Sequence, residues 1–542
     1  MLSRPRGRLV TLSALSVALF SVQLASAKRT AEKPVVAKRA TAESAPAVSA
    51  PASVLPFVEN DFALARAQAL KSGKLLFVDA WALWCHTCLS MRNFVFTDVQ
   101  LQPLANRLVY AAIDTEQPSS AAFLARFPIS TWPTMLLIAP SEQGDQIVAR
   151  FTGALSAKEL SSRLGAVLNQ QAQQQPKLAK ADALAAAGQH QQAAAEYEEA
   201  LEEPGSRPRA LLGLIQSLRS LGQHARCADL YDRSFLQVGK SALATDFAAY
   251  AANCMDKLDD VDRRQKLRRQ LRTDLGNLLD DPSADLAIDD RSDAYGTMVE
   301  LSDALGESSE GDRLTTKRLA LLEKAAATAA SPVLAATFDA HRFDSYRRLK
   351  RWAIAEEMLL ASAKALPSDY NPPARLARLY YETGRIEKAE AQIGTALSHC
   401  LGPRRASMFE LRAAIQNSQN RSREAMASLM EAVSVLTANQ PAGAPESARV
   451  LSLRQQLAGL EAKRKEQPDD SDAAPQPVPP AQQNAKPGRK NGGQKTGDRK
   501  NADKKNDGAS ERKSPPPRYE PGTPVAQRKR DRRLATRDAN LK

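Results

Sequence analysis

Cysteine is scarce in this sequence, with five residues in a chain of 542. Two of them, Cys85 and Cys88, share a Cys-x-x-Cys spacing, and the other three stand alone: Cys227, Cys254 and Cys400. A zinc site needs two further ligands at short spacing, and haem attachment needs a histidine directly after the second cysteine, where Leu89 stands. The sequence therefore predicts no metal site and no cofactor. It favours a redox pair over an inert bridge at Cys85 and Cys88.

Long apolar runs are also rare, because only residues 9–24 form one. Three arginines precede this run, and Ala25-Ser26-Ala27 follows it. This order predicts that residues 1–27 are a secretory signal peptide, cut after Ala27. An uncleaved membrane anchor is the alternative. Together with the thiol pair, the signal predicts an exported protein of a bacterial periplasm.

Aromatic residues are few, at 5% of the chain, and Tyr519 is the only one in the basic C-terminal region. Residues 476–542 carry eighteen basic and seven acidic side chains, so they supply most of the net charge of +14. Aromatic side chains that could stack on bases are thus almost absent from this region, so we predict no specific nucleic-acid binding here. Binding to an anionic envelope surface and a solvated spacer are both open interpretations of this region.

Changes in composition and in apolar periodicity divide the sequence into five parts. The predicted signal is followed by a flexible linker rich in Ala, Pro and Ser, a region of alternating strands and helices, a helical region rich in Ala and Leu, and a disordered basic tail. The boundaries of the last four are 28–56, 57–170, 176–463 and 464–542. An α/β domain followed by an all-α domain is the predicted fold class.

The Cys-x-x-Cys pair follows a short apolar run, residues 75–78, and precedes a segment that can continue as a helix. A strand that ends just before Cys85 places its sulfur at a helix N-terminus, where backbone N–H groups favour the thiolate. Cys88 lies about one helical turn further on the same face. The spacing thus supplies a reactive thiol and a thiol that resolves a mixed disulfide.

Three separated motifs, in order, make residues 57–170 resemble thioredoxin. They are Val78-Asp79-Ala80-Trp81-Ala82-Leu83-Trp84-Cys85, Thr131-Trp132-Pro133-Thr134 and Phe151-Thr152-Gly153-Ala154-Leu155-Ser156. The segments 94–98 and 113–115 resemble the periplasmic reductase branch of that family more than cytosolic thioredoxin. The resemblance implies that Cys85 attacks a client disulfide, that Cys88 resolves the intermediate, and that the two form a disulfide when oxidised.

The resemblance also implies roles for residues around the pair. Asp79 becomes a buried carboxylate that exchanges a proton with Cys88 through a water, and a helix or loop cap is the alternative. The family's lysine near this carboxylate aligns with Tyr110. Pro133 becomes a cis-proline, and the residue before it offers its backbone to the client. The predicted client-binding residues are therefore these: Trp84, His86, Trp132 and Pro133.

Two roles remain open for His86, which lies between the cysteines. A cation there stabilises the Cys85 thiolate and makes the protein more oxidising. A solvent-facing side chain is the alternative. The bulky Trp132 before the proline is unusual for the family and selects clients or shields the sulfurs.

The helical region repeats every 34 residues. Leu184, Gly188, Gln189, His190, Ala194 and Tyr197 recur as Leu218, Gly222, Gln223, His224, Ala228 and Tyr231. The period and the small residues resemble the tetratricopeptide repeat, which implies a solenoid with a concave protein-binding surface. The period is lost between residues 256 and 330, where we expect degenerate repeats. Cys227, Cys254 and Cys400 are expected to be core residues without redox roles.

These observations predict an exported thiol–disulfide oxidoreductase that reduces or exchanges disulfides of envelope proteins. Its expected partners are client proteins with disulfides or thiols, a redox partner, and a protein bound to the repeats. An envelope adaptor, in which the repeats and the basic tail act and the thioredoxin-like domain only binds, is the alternative. A thiol carrier for copper is a third hypothesis.

Overall fold

A computed structural model describes residues 52–169, 176–438 and 446–466. The first range contains a five-stranded sheet with the order β1-β3-β2-β4-β5. Its strands are β1 (Phe57–Glu59), β2 (Leu76–Trp81), β3 (Val109–Asp114), β4 (Thr134–Ala139) and β5 (Gln146–Thr152). β1, β2 and β3 pair in parallel, whereas β4 is antiparallel to both β2 and β5. This mixed sheet is the predicted thioredoxin-like α/β fold.

Four α-helices accompany the sheet: α1 (Phe62–Ser72), α2 (His86–Ser90), α3 (Ala121–Arg126) and α4 (Ala157–Leu168). α1 begins at the cap Asp61, whose side chain accepts a hydrogen bond from the N–H of Leu64. It ends at Gly73, which takes the left-handed conformation that favours glycine. The central strand β2 carries the apolar run before the cysteines and is buried on both faces.

The segment just before β1 packs against the domain. The N–H of Val54 donates to the carbonyl oxygen of Phe96, and Leu55 lies in the apolar core with Phe77. The predicted flexible linker, 28–56, is therefore wrong for residues 52–56, because burial of Leu55 anchors the chain. Residues 28–51 and the predicted signal peptide lie outside the described residues.

From Pro176 onward the described residues form helices, which we call the helical array (176–466). They are α5 (Pro176–Ala186), α6 (His190–Ala200), α7 (Arg207–Ser220), α8 (His224–Ser234), α9 (Ala242–Met255), α10 (Val261–Asp280), α11 (Ile288–Ala304), α12 (Ser308–Ala327), α13 (Pro332–Ala336), α14 (Asp339–Arg348), α15 (Trp352–Ala365), α16 (Asn371–Glu382), α17 (Ile386–His399), α18 (Arg405–Ser418), α19 (Ser422–Thr437) and α20 (Ala448–Glu466).

The array is a series of helical hairpins of the tetratricopeptide type. Gly188 and Gly222 lie 34 residues apart and occupy the turns inside the first two hairpins, with φ of 73° and 69°. Only a residue that tolerates a left-handed conformation closes such a turn without strain. Ala193 and its counterpart Cys227 are buried where neighbouring helices meet. The all-α solenoid predicted from the period is present.

The middle of the array keeps its hairpins although the sequence period is lost. α10 and α12 are each 20 residues long, whereas α6 and α8 have 11. Longer helices change the repeat length and so erase the 34-residue period.

α20 runs through residue 466, so the predicted tail begins too early, and 467–542 lie outside the described residues. No helix among the described residues is long and apolar enough to cross a bilayer.

The thioredoxin-like domain and the array belong to one compact unit. The N–H of Arg150 in β5 donates to Asp182 in α5, at 3.1 Å. The side-chain amide of Asn93 donates to the hydroxyl of Thr337 at 2.7 Å, and these two residues are 244 positions apart in the sequence. The array therefore contacts the domain at widely separated points of its own length.

Candidate functional site

Cys85 lies where the end of β2 turns into α2. Its side chain caps the helix, and its Sγ accepts a hydrogen bond from the N–H of Cys88 at 3.0 Å. The two sulfurs form a disulfide with a Cα–Cα distance of 5.2 Å. A donor aimed at Cys85 Sγ favours its thiolate over the thiol once the pair is reduced. The local geometry thus suits Cys85 as the attacking sulfur.

The redox pair is buried under the helical array. Cys85 is 3% exposed and Cys88 is fully buried. The side-chain amide of Asn371 donates to the carbonyl oxygen of Leu83 at 3.2 Å, and the guanidinium of Arg404 lies 5.3 Å from the centre of a Trp84 ring. Access to the sulfurs therefore depends on how the array sits against the domain.

The proline loop lies beside the pair, and the peptide bond between Trp132 and Pro133 is cis, as the resemblance implies. The Trp132 indole packs on Trp84 with ring centres 5.6 Å apart, and its Nε1–H donates to Thr115 Oγ1 at 2.8 Å. Trp132 is buried. Trp84, Cys85, Trp132 and Pro133 together form what we call the redox face.

Asp79 is buried in β2, as the sequence predicts. Burial raises the pKa of its carboxyl from 3.8 to about 7, and the nearby Arg92 opposes this rise. Neither carboxylate oxygen has a hydrogen-bond partner among the described residues. The alternative role as a helix or loop cap is therefore wrong. A carboxyl with a pKa near 7 can both take up and release a proton at neutral pH.

Arg92 is the cation that sequence reasoning missed. Its guanidinium lies 3.8 Å from Asp79 Oδ2, stacks over the Trp81 ring and pairs with Glu59 at 2.8 Å. Tyr110, which aligns with the family's lysine, instead donates to the carbonyl oxygen of Leu104. No α-helical spacing pointed to Arg92, because it lies in the π-helical turn Met91–Val95 that follows α2.

His86 points into a polar cluster contributed by the array. Its Nδ1 lies 3.0 Å from Asp289 Oδ1, and its ring centre lies 3.8 Å from that of His341. The solvent-facing alternative for His86 is wrong, because its side chain is 14% exposed. No sequence pattern predicted this cluster, since its members on the array are more than 200 residues from His86.

Glu116 forms a second unpredicted contact with the array. Its carboxylate accepts hydrogen bonds from Tyr370 Oη at 2.7 Å and from the N–H of Arg404 at 3.1 Å. Burial raises the pKa of this carboxyl to about 7, and the Tyr370 hydrogen bond is the largest influence that opposes the rise. This contact holds the array beside Trp84.

A second disulfide joins Cys227 in α8 to Cys254 in α9. Both residues are buried core residues, as predicted, but the expectation that they stand alone is wrong. The helices of successive hairpins bring together two cysteines that are 27 residues apart. Cys400 is a free, buried thiol, and burial raises its pKa to about 12. Such a thiol is inert near neutral pH.

No protein-family profile matches the chain. A curated relative, Thioredoxin 2 of Chlorobaculum tepidum, is 26% identical over 100 residues, which cover 18% of this chain and 88% of the relative. A solved thioredoxin from Thermus thermophilus is 23% identical and covers 20% of this chain and 86% of its own, with a TM-score of 0.19. A tetratricopeptide repeat protein from Parabacteroides merdae is 14% identical and covers 53% of this chain and 98% of its own, with a TM-score of 0.36.

The chain therefore joins a thioredoxin-like domain to repeats of the tetratricopeptide kind. Similarity to a thioredoxin, together with the adjacent Cys85 and Cys88, indicates a thiol–disulfide redox role. Repeats of this kind indicate that the array binds a protein partner.

Proposed function

We propose that the protein is an exported thiol–disulfide oxidoreductase that reduces or exchanges disulfides of envelope proteins. The observation that carries this proposal is the Cys85–Cys88 disulfide, which begins four residues after the end of β2, the buried strand that holds Asp79. The sulfur pair and a carboxyl that titrates near neutral pH are the two components that dithiol exchange needs.

In the reducing direction, the Cys85 thiolate attacks one sulfur of a client disulfide, and the other client sulfur leaves as a thiolate. Cys88 then loses a proton, which Asp79 accepts through a water, and attacks Cys85 Sγ. The client sulfur on Cys85 leaves, and the protein disulfide forms. Two electrons pass from the protein dithiol to the client, so a reduced thiol partner must regenerate Cys85 and Cys88.

The reducing direction rests on the similarity of segments 94–98 and 113–115 to the periplasmic reductase branch. A redox titration of the pair separates the directions. A midpoint near −270 mV, roughly that of thioredoxin, supports a reductant, and one near about −120 mV supports an oxidant.

Export is supported by the signal-like N-terminal sequence and by the second disulfide. A disulfide buried between α8 and α9 persists in an oxidising compartment, and such bridges are rare where glutathione keeps thiols reduced. A periplasmic location fits both features. The protein is membrane-anchored instead if the signal is not cleaved.

The array is proposed to control which proteins reach Cys85. It covers the redox face through Asn371 and Arg404, so a client must displace this contact or approach through the partner that binds the repeats. Holding a client on the array also raises its local concentration near Cys85.

The test is trapping of clients by the Cys88→Ala variant in envelope extracts. Without the resolving thiol, a client stays attached to Cys85, so we expect mixed disulfides that a reductant releases. The Cys85→Ala variant is the matched control and should trap none. If Cys88→Ala traps no more than Cys85→Ala, the oxidoreductase proposal is wrong.

The burial of both sulfurs favours one other function, an envelope adaptor whose Cys85–Cys88 bridge is structural. On this reading the array and the basic tail bind partners, and replacing Cys88 leaves that binding unchanged. The same trapping experiment, with partner capture measured in parallel, distinguishes the two functions.

A further inference from the structure

A group of nitrogen and oxygen ligands lies at the junction of the thioredoxin-like domain and the array. His86 comes from α2, Asp293 from α11 and His341 from α14. One ligand atom from each of these three residues lies within 4.8 Å of the other two. Three separate elements thus direct metal-binding groups at one point.

The distances suit direct coordination of one ion. Nε2 of His86 lies 3.8 Å from Asp293 Oδ1, and Nε2 of His341 lies 3.5 Å from the same oxygen. Zinc bonds to nitrogen and oxygen are about 2.0–2.2 Å long, so neighbouring ligand atoms in a tetrahedral site lie about 3.3 Å apart. A shift of a few tenths of an ångström brings both imidazoles to that spacing.

The other ring nitrogen of each histidine has its own partner. His86 Nδ1 lies 3.0 Å from Asp289 Oδ1, and His341 Nδ1 lies 2.8 Å from Ser292 Oγ. When each Nδ1 carries the proton and donates it to these oxygens, each Nε2 presents its lone pair. This outer arrangement, in which a carboxylate or hydroxyl fixes the ring, is typical of histidines that bind metal ions.

Charge and access also fit a divalent cation. The carboxylates of Asp289 and Asp293 together balance the two positive charges of an ion held by two neutral imidazoles. The buried guanidinium of Arg318, whose Nε–H donates to Ser292 Oγ at 2.9 Å, adds one further positive charge beside the cluster. The side chains of His86 and Asp293 are each 14% exposed, whereas those of Asp289 and His341 are 2% and 7% exposed. An ion can therefore enter on the side of His86 and Asp293.

We propose that His86, Asp293 and His341 form a site for a divalent transition-metal ion of the zinc type, with Asp289 and Ser292 as positioning residues. Imidazole and carboxylate ligands suit zinc and its neighbours in the first transition series. A fourth position stays open to water. Because His86 lies between Cys85 and Cys88 and the other ligands lie on the array, the ion holds the array on the redox face.

The test is equilibrium binding of Zn²⁺ to the full chain, measured by competition with a coloured chelator. The protein is kept oxidised, so that Cys85 and Cys88 cannot supply thiolates. We expect one ion per chain. His341→Ala should weaken binding more than about 100-fold, and Asp289→Asn about 10- to 100-fold, the range for loss of an outer-shell partner.

The matched control is His399→Ala, because His399 is exposed at the end of α17, away from the proposed site. This variant should bind zinc as tightly as the native chain does. Asp293→Asn provides a second ligand variant of nearly native shape in case His341→Ala does not fold. Co²⁺ bound to the oxidised protein should show the visible bands of nitrogen and oxygen ligands without thiolate charge transfer.

The proposal is overturned if the native chain binds zinc no more tightly than His341→Ala and Asp293→Asn do. A double variant, Cys85→Ser with Cys88→Ser, should bind zinc like the oxidised native chain. Loss of binding in that variant also contradicts the proposal. Neither result depends on whether the protein exchanges disulfides. As a further readout, zinc should slow the reduction of Cys85–Cys88 in the native chain and leave His341→Ala unchanged.

Discussion

Asp79 shows how a single residue acquires its chemistry from its surroundings. The side chain lies in a strand that is buried on both faces, and the nearest cation, Arg92, is 3.8 Å away. Burial is the largest influence on its carboxyl, so the pKa rises to about 7 although a positive charge is close. A carboxylate on the surface at the same distance from an arginine shows the opposite shift.

We expect the Asp79→Asn substitution to remove part of the pH dependence of stability. Between pH 4 and 7 the folded protein keeps a proton on Asp79 that the unfolded chain has lost, so its free energy of unfolding falls as the pH rises. A pKa raised from 3.8 to about 7 corresponds to a fall on the order of 4 kcal/mol across this window. The variant lacks this contribution and should be relatively more stable above pH 7.

The measurement is urea unfolding of the oxidised protein from pH 4 to 8. Asp259→Asn, at an exposed position outside the redox face, should keep the native pH dependence. Equal slopes for the native chain and Asp79→Asn contradict the assignment of the raised pKa to Asp79.

At the scale of elements, the segments that flank α16 and α18 attach the array to the thioredoxin-like domain. Tyr370 precedes α16 and Arg404 precedes α18, and both donate to Glu116. Asn371 extends the same contact to the backbone of Leu83, two residues before Cys85. A short polar contact between elements therefore covers a redox pair that lies far from it in the sequence.

We expect Tyr370→Phe to weaken this contact. The substitution keeps the ring but leaves Glu116 without its side-chain donor, at a cost of about 1.5–3 kcal/mol in the free energy of unfolding. The pKa of Glu116 should rise further, because the Tyr370 hydrogen bond lowers it. Loss of the contact should also speed the reduction of Cys85–Cys88 by a small thiol.

Both effects are measurable by urea unfolding and by the rate of thiol alkylation after reductant is added. Tyr381→Phe removes a hydroxyl from the same helix, α16, that forms no hydrogen bond with the described part of the chain, and should change neither quantity. A native reduction rate in Tyr370→Phe would show that this contact does not limit access to the sulfurs.

At the scale of the whole molecule, a covalent link reinforces a solenoid built from neighbouring contacts. Each hairpin packs mainly against the next, so the stability of such an array is close to a sum of local interfaces. The Cys227–Cys254 disulfide joins α8 to α9, which belong to successive hairpins. It closes a loop in the unfolded chain and so lowers the entropy of the unfolded state.

Replacing both Cys227 and Cys254 with alanine should lower the free energy of unfolding by about 3.5 kcal/mol, as loop-closure entropy predicts for cysteines 27 residues apart. The measurement is urea unfolding without reductant. Cys400→Ala removes a buried sulfur that forms no bridge and serves as the control for lost packing. If dithiothreitol destabilises the native chain and the double variant equally, the bridge does not contribute.

The sequence by itself determined the parts of this protein that depend on short stretches of chain. The apolar run before Cys85, the spacing to Cys88, the buried Asp79 and the cis-proline motif each lie within about a dozen residues. The 34-residue period likewise predicted helical hairpins, because each hairpin is a local unit. Where helices lengthened in the middle of the array, the period disappeared although the hairpins remained.

Only the tertiary structure decided what surrounds the redox pair. His86 meets Asp289 and His341, Glu116 meets Tyr370, and Cys227 meets Cys254. The first two of these contacts join residues more than 200 positions apart. Their formation depends on the curvature of the array, which sums small rotations over many hairpins. No short sequence pattern encodes that sum, so the burial of Cys85 and the cluster at His86 follow from the folded array alone.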